Sequence, residues 1–275
     1  MENSAAPSRP LLRWHGGKWR LASWIISKFP PHRTYVEPFG GAASVLIKKP
    51  RAYSEVYNDL HGEVVNLFRV LQSPEKAARL RELLYLTPFS RDEYAVSYET
   101  AEDSVEAARR LIIRSYMGFG SDSINKERKS GFRSNSNRSH TTPAHDWANY
   151  PWQIGAFVER LRGVVVENRP AAGVIEQHDG PDTLHYVDPP YPLSTRGDRR
   201  RDYTHEMSDK DHVDLARILR GVKGMVVISG YRCELYDRDL YSGWTSVDRA
   251  ALADGAVKRV EVLWMNPAAA ERLPR

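Results

Sequence analysis

Hydrophobic positions in the first sixty residues predict strands and helices in alternation. Apolar residues at positions 21, 24, 25 and 26 share one face of a helix that ends near Pro30. Short apolar runs at residues 34–36 and 55–57 predict strands, and residues 42–47 predict a helix between them. A helix that joins two strands is the connection that a parallel sheet requires.

From residue 61 to about residue 155 the pattern is helical instead. It predicts helices over residues 62–72, 74–85 and 104–117, and these are followed by a polar segment, residues 121–142, rich in Ser, Asn, Arg and Lys. Structureless loops longer than about 12–15 residues are uncommon unless they are functional or disordered. We interpret this segment as a functional loop, with disorder as the alternative. Residues 61–155 are therefore predicted to be an inserted domain, and residues 1–60 and 156–275 the main domain.

After the inserted segment the alternation resumes. The sequence predicts strands over residues 164–166, 184–187 and 225–228, a helix over residues 209–219, and an edge strand over residues 260–265. The predicted fold class is α/β: a doubly wound, Rossmann-like sheet with helices on both faces, interrupted by a mostly helical domain.

Composition narrows the class of protein without identifying it. The 275 residues are 41% hydrophobic and 27% charged, which is ordinary for a globular protein, and no apolar run approaches the roughly 18 residues of a membrane span. No signal peptide is visible, and a single cysteine, Cys233, cannot form an internal disulfide, so we expect a cytoplasmic protein. The net charge of +5 is compatible with a polyanionic partner, although many unrelated proteins share it.

The tetrapeptide Asp188-Pro189-Pro190-Tyr191, directly after the predicted strand 184–187, carries the clearest chemical signal. An exocyclic amine of a nucleobase is a poor nucleophile, because its lone pair is delocalised into the ring. Asp188 and the Pro189 carbonyl could accept both amine hydrogens, while Pro190 keeps the turn rigid and Tyr191 offers a ring to an extruded base. An ordinary strand-to-loop turn is the alternative interpretation.

A second signal follows the first two predicted strands. Phe39-Gly40-Gly41 would bring bare backbone toward a ligand, and Asp59, at the end of the next strand, could accept hydrogen bonds from ribose hydroxyls. A tight turn and helix capping by Asn58 or Asp59 are the alternatives. The Lys18 ammonium could pair with a ligand carboxylate, or could simply belong to a capped amphipathic helix.

Two clusters of basic residues flank the tetrapeptide and could contact a polyphosphate chain, although charge runs usually form solvated faces. The first lies in the inserted segment and the second in the loop after the tetrapeptide: Lys126, Arg128, Lys129, Arg133 and Arg138, then Arg196, Arg199, Arg200 and Arg201. The histidines have no metal-ligand spacing, so no metal is predicted.

Four motifs occur in a fixed order, with the inserted segment before the last. They are Arg13-Trp14-x-Gly16-Gly17-Lys18, Val36-Glu37-Pro38-Phe39-Gly40-Gly41, Asn58-Asp59 and Asp188-Pro189-Pro190-Tyr191. In this order they resemble the alpha-group, Dam-like DNA adenine-N6 methyltransferases over essentially the whole chain. Residues 203–207 and 230–231 also look similar to the phage-type members.

The resemblance implies a Rossmann-like methyltransferase domain, with residues 61–155 as its helical target-recognition domain. It implies S-adenosylmethionine as cofactor, double-stranded DNA as partner, no obligatory protein partner and a bacterial or phage-infected cell as the setting. The cofactor contacts that it implies are Trp14, Lys18, Glu37, Phe39, Gly40, Gly41, Asp59 and Asp188. Asp188 and Pro189 would then accept the amine hydrogens of an extruded adenine, and Tyr191 would stack on its ring.

Three departures from the family pattern limit what the resemblance implies. Ala42 and Ala43 follow the glycine pair where the family often has a further glycine, and small residues keep the space. Pro170-Ala171 stands where many members hold the cofactor's adenine with an acid and an aromatic residue. Residues 130–135 only loosely resemble the segment that reads GATC, so the sequence does not predict that site.

Other functions remain open at this point. Methylation of cytosine N4 uses the same chemistry, and RNA or protein methyltransferases carry similar tetrapeptides, although the basic inserted segment favours DNA. A catalytically silent DNA-binding relative is the alternative outside the enzymes. The presence of Lys18, Asp59 and Asp188 argues against it.

Overall fold

The structure is a computed structural model of the chain, and it describes residues 6–120, 123–126, 129–137, 141–196, 203–252 and 258–273. Two compact units divide the chain. Met1–Gly17 and His61–Arg162 form a helical unit, and Lys18–Leu60 and Gly163–Arg275 form a sheet unit.

The sheet unit has seven strands within the described residues: β1 (Thr34–Glu37), β2 (Ser54–Asn58), β3 (Val164–Glu167), β4 (Thr183–Val187), β5 (Met225–Tyr231), β6 (Thr245–Leu252) and β7 (Lys258–Met265). With the helices numbered along the whole chain, this unit contains α1 (Ala22–Ile26), α2 (Ser44–Lys48), α9 (Ala171–Gln177), α10 (Asp209–Gly221) and α11 (Pro267–Ala270). The helical unit contains α3 (Gly62–Gln72), α4 (Pro74–Leu86), α5 (Arg91–Val96), α6 (Ser104–Met117), α7 (Pro143–Ala148) and α8 (Ile154–Leu161).

The strands hydrogen-bond in the order β3-β2-β1-β4-β5-β7-β6. Strands β1 to β5 are parallel, and β7 runs antiparallel to both of its neighbours. The winding reverses between β1 and β4, which pair in the register Val36 to His185. In open α/β sheets, ligands bind outside the carboxyl ends of the strands at such a switch point. The chain segments that begin at Pro38 and Asp188 leave the sheet there.

Burial on both faces favours apolar residues in the central strands, such as Leu184, Tyr186 and Val187 of β4. Every residue of β4 is buried. Leu215 and Leu219, on one face of α10, belong to a single buried cluster with Val187, Ile228 and Trp264. This cluster fixes α10 against the carboxyl halves of β4 and β5.

Polar caps mark the beginnings of several helices. The Asp103 carboxylate accepts hydrogen bonds from the backbone N–H groups of Val105 and Glu106 at the start of α6. Ser208 and Asp211 form a reciprocal capping box at the start of α10. These side chains satisfy N–H groups that have no partner inside the helix.

Residues near the N-terminus belong to the helical unit, whereas the sequence analysis assigned residues 1–60 to the main domain. Leu11 and Leu12 are buried, and the backbone oxygen of Leu11 accepts a hydrogen bond from the Tyr150 hydroxyl at 2.7 Å. The Arg13 N–H donates to the Ser115 hydroxyl at 2.7 Å. The helical unit also extends to Arg162 rather than ending at residue 155.

The predicted α/β fold class is confirmed, and some elements differ from the predictions. The predicted edge strand at residues 260–265 is β7, but β6 pairs with it on the outside, so β7 is not at the edge. Strand β6 and helices α5, α7, α8 and α11 had no prediction. Most of them are short, and short elements depend on tertiary packing more than on a periodic pattern.

Candidate active site

A buried charged cluster lies beside the carboxyl end of β4. The Lys18 ammonium is 3.0 Å from Asp188 Oδ1 and 3.8 Å from Glu261 Oε1. The side chains of Lys18, Asp188 and Glu261 are 7%, 17% and 4% exposed. One cation and two carboxylates are thus held where water has little access.

Tyr191 completes this cluster. Its hydroxyl donates to Glu261 Oε1 and lies 3.1 Å from Asp188 Oδ1. The Lys18 ammonium sits 4.8 Å from the centre of the Tyr191 ring, and the Tyr231 ring meets the Tyr191 ring at 4.8 Å with an angle of 78°. Asp188 and Tyr191 lie together because both belong to the segment directly after β4, whereas Glu261 belongs to β7.

Burial and the neighbouring charges together set the pKa values of these groups. Burial alone would lower the pKa of Lys18, but Asp188 and Glu261 raise it above its ordinary value, so Lys18 stays charged. Burial raises the pKa of Asp188, against the opposing effect of Lys18. The pKa of Glu261 is raised by burial and by the charge of Asp188, while Lys18 lowers it. The cluster is electrostatically coupled, so a change in one member alters the others.

Glu37, a predicted cofactor contact, is a second buried carboxyl at the switch point. Its Oε2 accepts hydrogen bonds from the Tyr35 hydroxyl at 2.7 Å and from the Leu46 N–H at 3.0 Å. These contacts tie β1 to α2. Burial raises the pKa of Glu37 to about 8, and the Asp188 charge adds to the effect against the two hydrogen bonds.

We expect Glu37→Gln to change the dependence of stability on pH. The pKa of Glu37 in the folded protein lies above its ordinary value of 4.5. Its contribution to stability is therefore fully present below pH 4.5 and is lost as pH rises to about 8. Relative to the variant, the wild-type protein should lose about 1.4 kcal/mol of unfolding free energy per pH unit across that window. Urea unfolding at pH 5, 6.5 and 8 measures this, with the exposed Glu271→Gln as control. Parallel curves for Glu37→Gln and wild type would contradict the assignment.

The glycine loop after β1 is held against β2. A Cβ atom on Gly40 would lie 2.1 Å from the Tyr57 ring, so no larger residue fits without displacing that ring. Gly41 has a φ of 47°, its N–H donates to Asp59 Oδ2 at 2.7 Å, and its carbonyl accepts from the Tyr57 hydroxyl at 2.7 Å. Phe39 packs against the apolar cluster behind the sheet. Asp59 thus positions the loop that the sequence analysis assigned to the cofactor.

Asn58 connects three loops at the same edge of the sheet. Its side-chain amide donates to the carbonyls of Pro38 and Arg169 at 2.8 and 3.0 Å, and its oxygen accepts from the Arg169 N–H at 3.1 Å. The first residue before α3 is His61, so the alternative of capping by Asn58 or Asp59 is wrong. Both residues instead hold the loops at this edge of the sheet.

The residues at the switch point suit a ligand with an ammonium group and ribose hydroxyls. Three of the predicted cofactor contacts are carboxyl groups that follow or end β1, β2 and β4: Glu37, Asp59 and Asp188. Carboxylates accept hydrogen bonds from both kinds of group. The absence of a side chain on Gly40 leaves room for the Tyr57 ring, which holds the loop against β2. This set of acceptors fits S-adenosylmethionine, although the individual contacts stay predictions.

The structure leaves little exposed surface on two side chains for which the sequence predicted contacts with DNA, Tyr191 and Arg196. Tyr191 is 6% exposed, so stacking on an extruded base would require its ring to be uncovered, and that role stays a prediction. Arg196, a predicted DNA contact, is 10% exposed and binds Glu206 at 2.8 Å and the Tyr191 carbonyl at 2.6 Å. These contacts brace the loop after the tetrapeptide.

The other predicted DNA contacts that are described lie in the helical unit. Lys126 pairs with Glu63 at 2.9 Å, the Lys129 ammonium lies 5.2 Å from the centre of the Tyr98 ring, and the Arg133 N–H donates to the Met117 carbonyl at 2.7 Å. Five basic residues of the two predicted clusters lie outside the described residues: Arg128, Arg138, Arg199, Arg200 and Arg201. Trp14 is also in the helical unit, where its ring meets His61 edge-on at 5.6 Å. Its predicted cofactor contact stays a prediction.

Sequence reasoning missed Glu261. The available signal was an acidic residue between Val260 and Val262, directly before the four apolar residues that end the strand. A search of the described residues finds neither a cluster of His, Cys, Asp and Glu suited to a metal ion nor a helix long and apolar enough to cross a membrane.

Comparisons with known proteins agree with this geometry. Residues 14–247 match the family of D12 class N6 adenine-specific DNA methyltransferases. The chain is 24% identical to the type II methyltransferase M.CviBI of Paramecium bursaria Chlorella virus, over 90% of this chain and 94% of the relative. It is 26% identical to the DNA adenine methylase of Serratia marcescens, over 85% and 87%. It is 23% identical to the DNA adenine methylase of Escherichia coli, over 78% and 77%.

Proposed function

The chain belongs to the D12 class N6 adenine-specific DNA methyltransferases, and on this basis we propose that it transfers a methyl group from S-adenosylmethionine to N6 of an adenine extruded from a specific duplex sequence. The observation that carries the proposal is Asp188, an acceptor at the switch point that is 17% exposed and 3.0 Å from Lys18. Extrusion is required because the target nitrogen of a stacked, paired base is inaccessible.

Asp188 has two tasks in this proposal. As a carboxylate it accepts a hydrogen bond from the N6 amine, which draws the nitrogen lone pair out of the ring and orients it. It then takes the proton that the amine loses when the nitrogen gains its methyl group. The Pro189 carbonyl serves as the second acceptor. No covalent bond between the chain and the substrate is needed.

The cofactor is assigned to the edge formed by the loops after β1, β2 and β4. Asp59 would accept hydrogen bonds from ribose hydroxyls, while Glu37 and Asp188 would face the ammonium group. Bound S-adenosylmethionine would supply an electrophilic methyl group. The chain itself would orient the reacting amine and exclude water.

DNA recognition is assigned to the helical unit. The N–H of Phe119 donates to the Gly131 carbonyl at 2.8 Å, which pairs the end of α6 with the segment around Phe132 in antiparallel fashion. Phe119 is 72% exposed and lines a surface cavity of about 470 Å³ with Phe132 and Arg133. An exposed aromatic ring beside cationic residues suits contact with bases and phosphates.

Expression in cells that lack adenine methylation tests the proposal. We expect long-read sequencing to show N6-methyladenine at one short recognition sequence, and expression of Asp188→Ala to leave the DNA unmodified. N4-methylcytosine in place of N6-methyladenine would overturn the assigned target base. Modification without sequence preference would overturn site specificity.

A purified-protein titration separates the enzyme from a silent relative. We expect S-adenosylmethionine to bind to the wild-type protein and Asp59→Ala to weaken that binding. A folded wild-type protein that binds DNA but neither binds the cofactor nor modifies DNA would support the silent relative instead.

A further inference from the structure

The Tyr191 hydroxyl contacts two carboxylates but has only one hydrogen to donate. It lies against Glu261 Oε1 and is 3.1 Å from Asp188 Oδ1. Burial raises the pKa of Tyr191 well above its ordinary value, so the phenol keeps that hydrogen at working pH. Each carboxylate therefore competes with the other for the same donor.

Lys18 is shared in the same way. Its ammonium is 3.0 Å from Asp188 and 3.8 Å from Glu261, and all three side chains are at least four-fifths buried. A buried ammonium that faced Asp188 alone would hold that carboxylate as a tight ion pair. Glu261 draws part of this interaction away.

The position of Glu261 follows from the antiparallel part of the sheet. Strand β7 pairs with β5 so that Glu261 lies opposite Tyr231. Because β7 runs against β5, its beginning lies at the carboxyl ends of the parallel strands, where Asp188 is. Glu261 thus reaches the site from a chain segment 70 residues beyond Tyr191.

We propose that Glu261 is a positioning residue for methyl transfer, which takes the Tyr191 hydrogen and part of the Lys18 charge and so leaves Asp188 free to accept the hydrogens of the target amine. This inference rests on the proposed function for the role of Asp188. It extends that function by a second carboxylate that acts through Lys18 and Tyr191 and does not touch the substrate.

Other groups around Asp188 do not provide this effect. Glu37, on β1, has a pKa of about 8 and is largely protonated below that pH, so it adds little negative charge there. Five buried or half-buried tyrosines from the neighbouring segments have raised pKa values and stay neutral: Tyr186, Tyr191, Tyr203, Tyr231 and Tyr236. Lys18 is 3.0 Å from Asp188 and 3.8 Å from Glu261, so the proposal assigns the state of Asp188 to these two charges.

The variant Glu261→Gln separates charge from hydrogen bonding, since glutamine can still accept from Tyr191. Without the second negative charge, Lys18 pairs fully with Asp188, and the pKa of Asp188 should fall. We expect the acidic limb of the kcat profile to move down by about one pH unit, because a neighbouring charge shifts a pKa by that order. We expect kcat at pH 7.5 to fall about three- to tenfold, because a weaker base accepts the amine proton less well, with little change in KM for DNA.

Carboxyl ¹³C NMR on the cofactor-free protein gives a readout that does not depend on activity. The Asp188 signal, assigned by its loss in Asp188→Asn, should titrate at lower pH in Glu261→Gln than in wild type, and Glu261→Asp should restore most of the wild-type midpoint. An unchanged or higher midpoint in folded Glu261→Gln overturns the proposal. If Glu261→Gln does not fold, the wild-type protein provides the test. Titration of Asp188 and Glu261 independently of each other in the wild type also overturns the proposal.

Glu55→Gln is the matched control, since Glu55 is a buried carboxylate of the same unit, paired with Lys49 at 2.7 Å at the other end of the sheet. It should lower the melting temperature without moving the Asp188 midpoint. A shift as large as that of Glu261→Gln would contradict a specific role for Glu261. If wild type failed to methylate DNA, the proposed function would fall, while the NMR titration would still decide the coupling of the two carboxyls.

Discussion

Replacing Asp188 by alanine should abolish methyl transfer to DNA and leave the protein folded. The change removes the acceptor that orients the amine and takes its proton, and proton transfer by a positioned group contributes about 10²–10⁴-fold to a rate. The fold should survive, because Lys18 keeps a second carboxylate, Glu261, within 3.8 Å. We therefore expect the single-turnover rate to fall at least about 100-fold, with a smaller loss of cofactor affinity.

The measurement is transfer of a labelled methyl group to a duplex that contains the mapped site, alongside circular dichroism and a cofactor titration. Asp182→Ala is the matched control. Asp182 lies just before the other end of β4, where its exposed side chain pairs with Arg272 at 3.2 Å. A folded Asp188→Ala protein with undiminished transfer would remove Asp188 from the mechanism, and the proposed function would lose the observation that carries it.

The part of the site that the sequence predicted depends on local signals. Glu37 and Asp188 each end or follow an apolar run, and parallel strands bring their carboxyl ends to one edge. The strand pattern therefore places these acids together before any contact is known. The glycine loop is predictable for the same reason, because Gly40 and Gly41 stand directly after β1.

The part that the sequence did not predict depends on distant pairing. Glu261 reaches Tyr191 only because β7 lies antiparallel between β5 and β6, and a one-residue slip of register would turn its side chain to the other face. Arg196 is similar, since its position in a basic cluster predicts a DNA contact or a solvated cation, whereas its guanidinium binds Glu206 and the Tyr191 carbonyl. A charge pattern indicates which residues are ionic, but not which partners they find.

Replacing Lys18 by methionine should have the largest effect on stability. Methionine has nearly the same length but no charge, so Asp188 and Glu261 would remain buried without their common cation. Removing one partner of a buried ion pair costs about 3–5 kcal/mol. The loss should also depend on pH. Without Lys18 the pKa values of both carboxyls rise further, and a carboxyl whose folded-state pKa is raised favours folding at low pH and opposes it as pH increases. We therefore expect a small deficit at pH 5 and a large one at pH 8.

Urea unfolding of the wild type and Lys18→Met at both pH values measures this effect, with the exposed Lys223→Met as control. The double variant Lys18→Met/Glu261→Gln tests the cause, since it leaves one carboxylate without a neighbouring cation instead of two. If electrostatic repulsion causes the loss, the double variant is more stable at pH 8 than Lys18→Met alone, and the difference shrinks at pH 5. If the two substitutions simply add at both pH values, Lys18 stabilises the unit by packing, and the shared-cation interpretation of the site is wrong. The same cycle therefore tests, without DNA or cofactor, the charge arrangement on which the role of Glu261 depends.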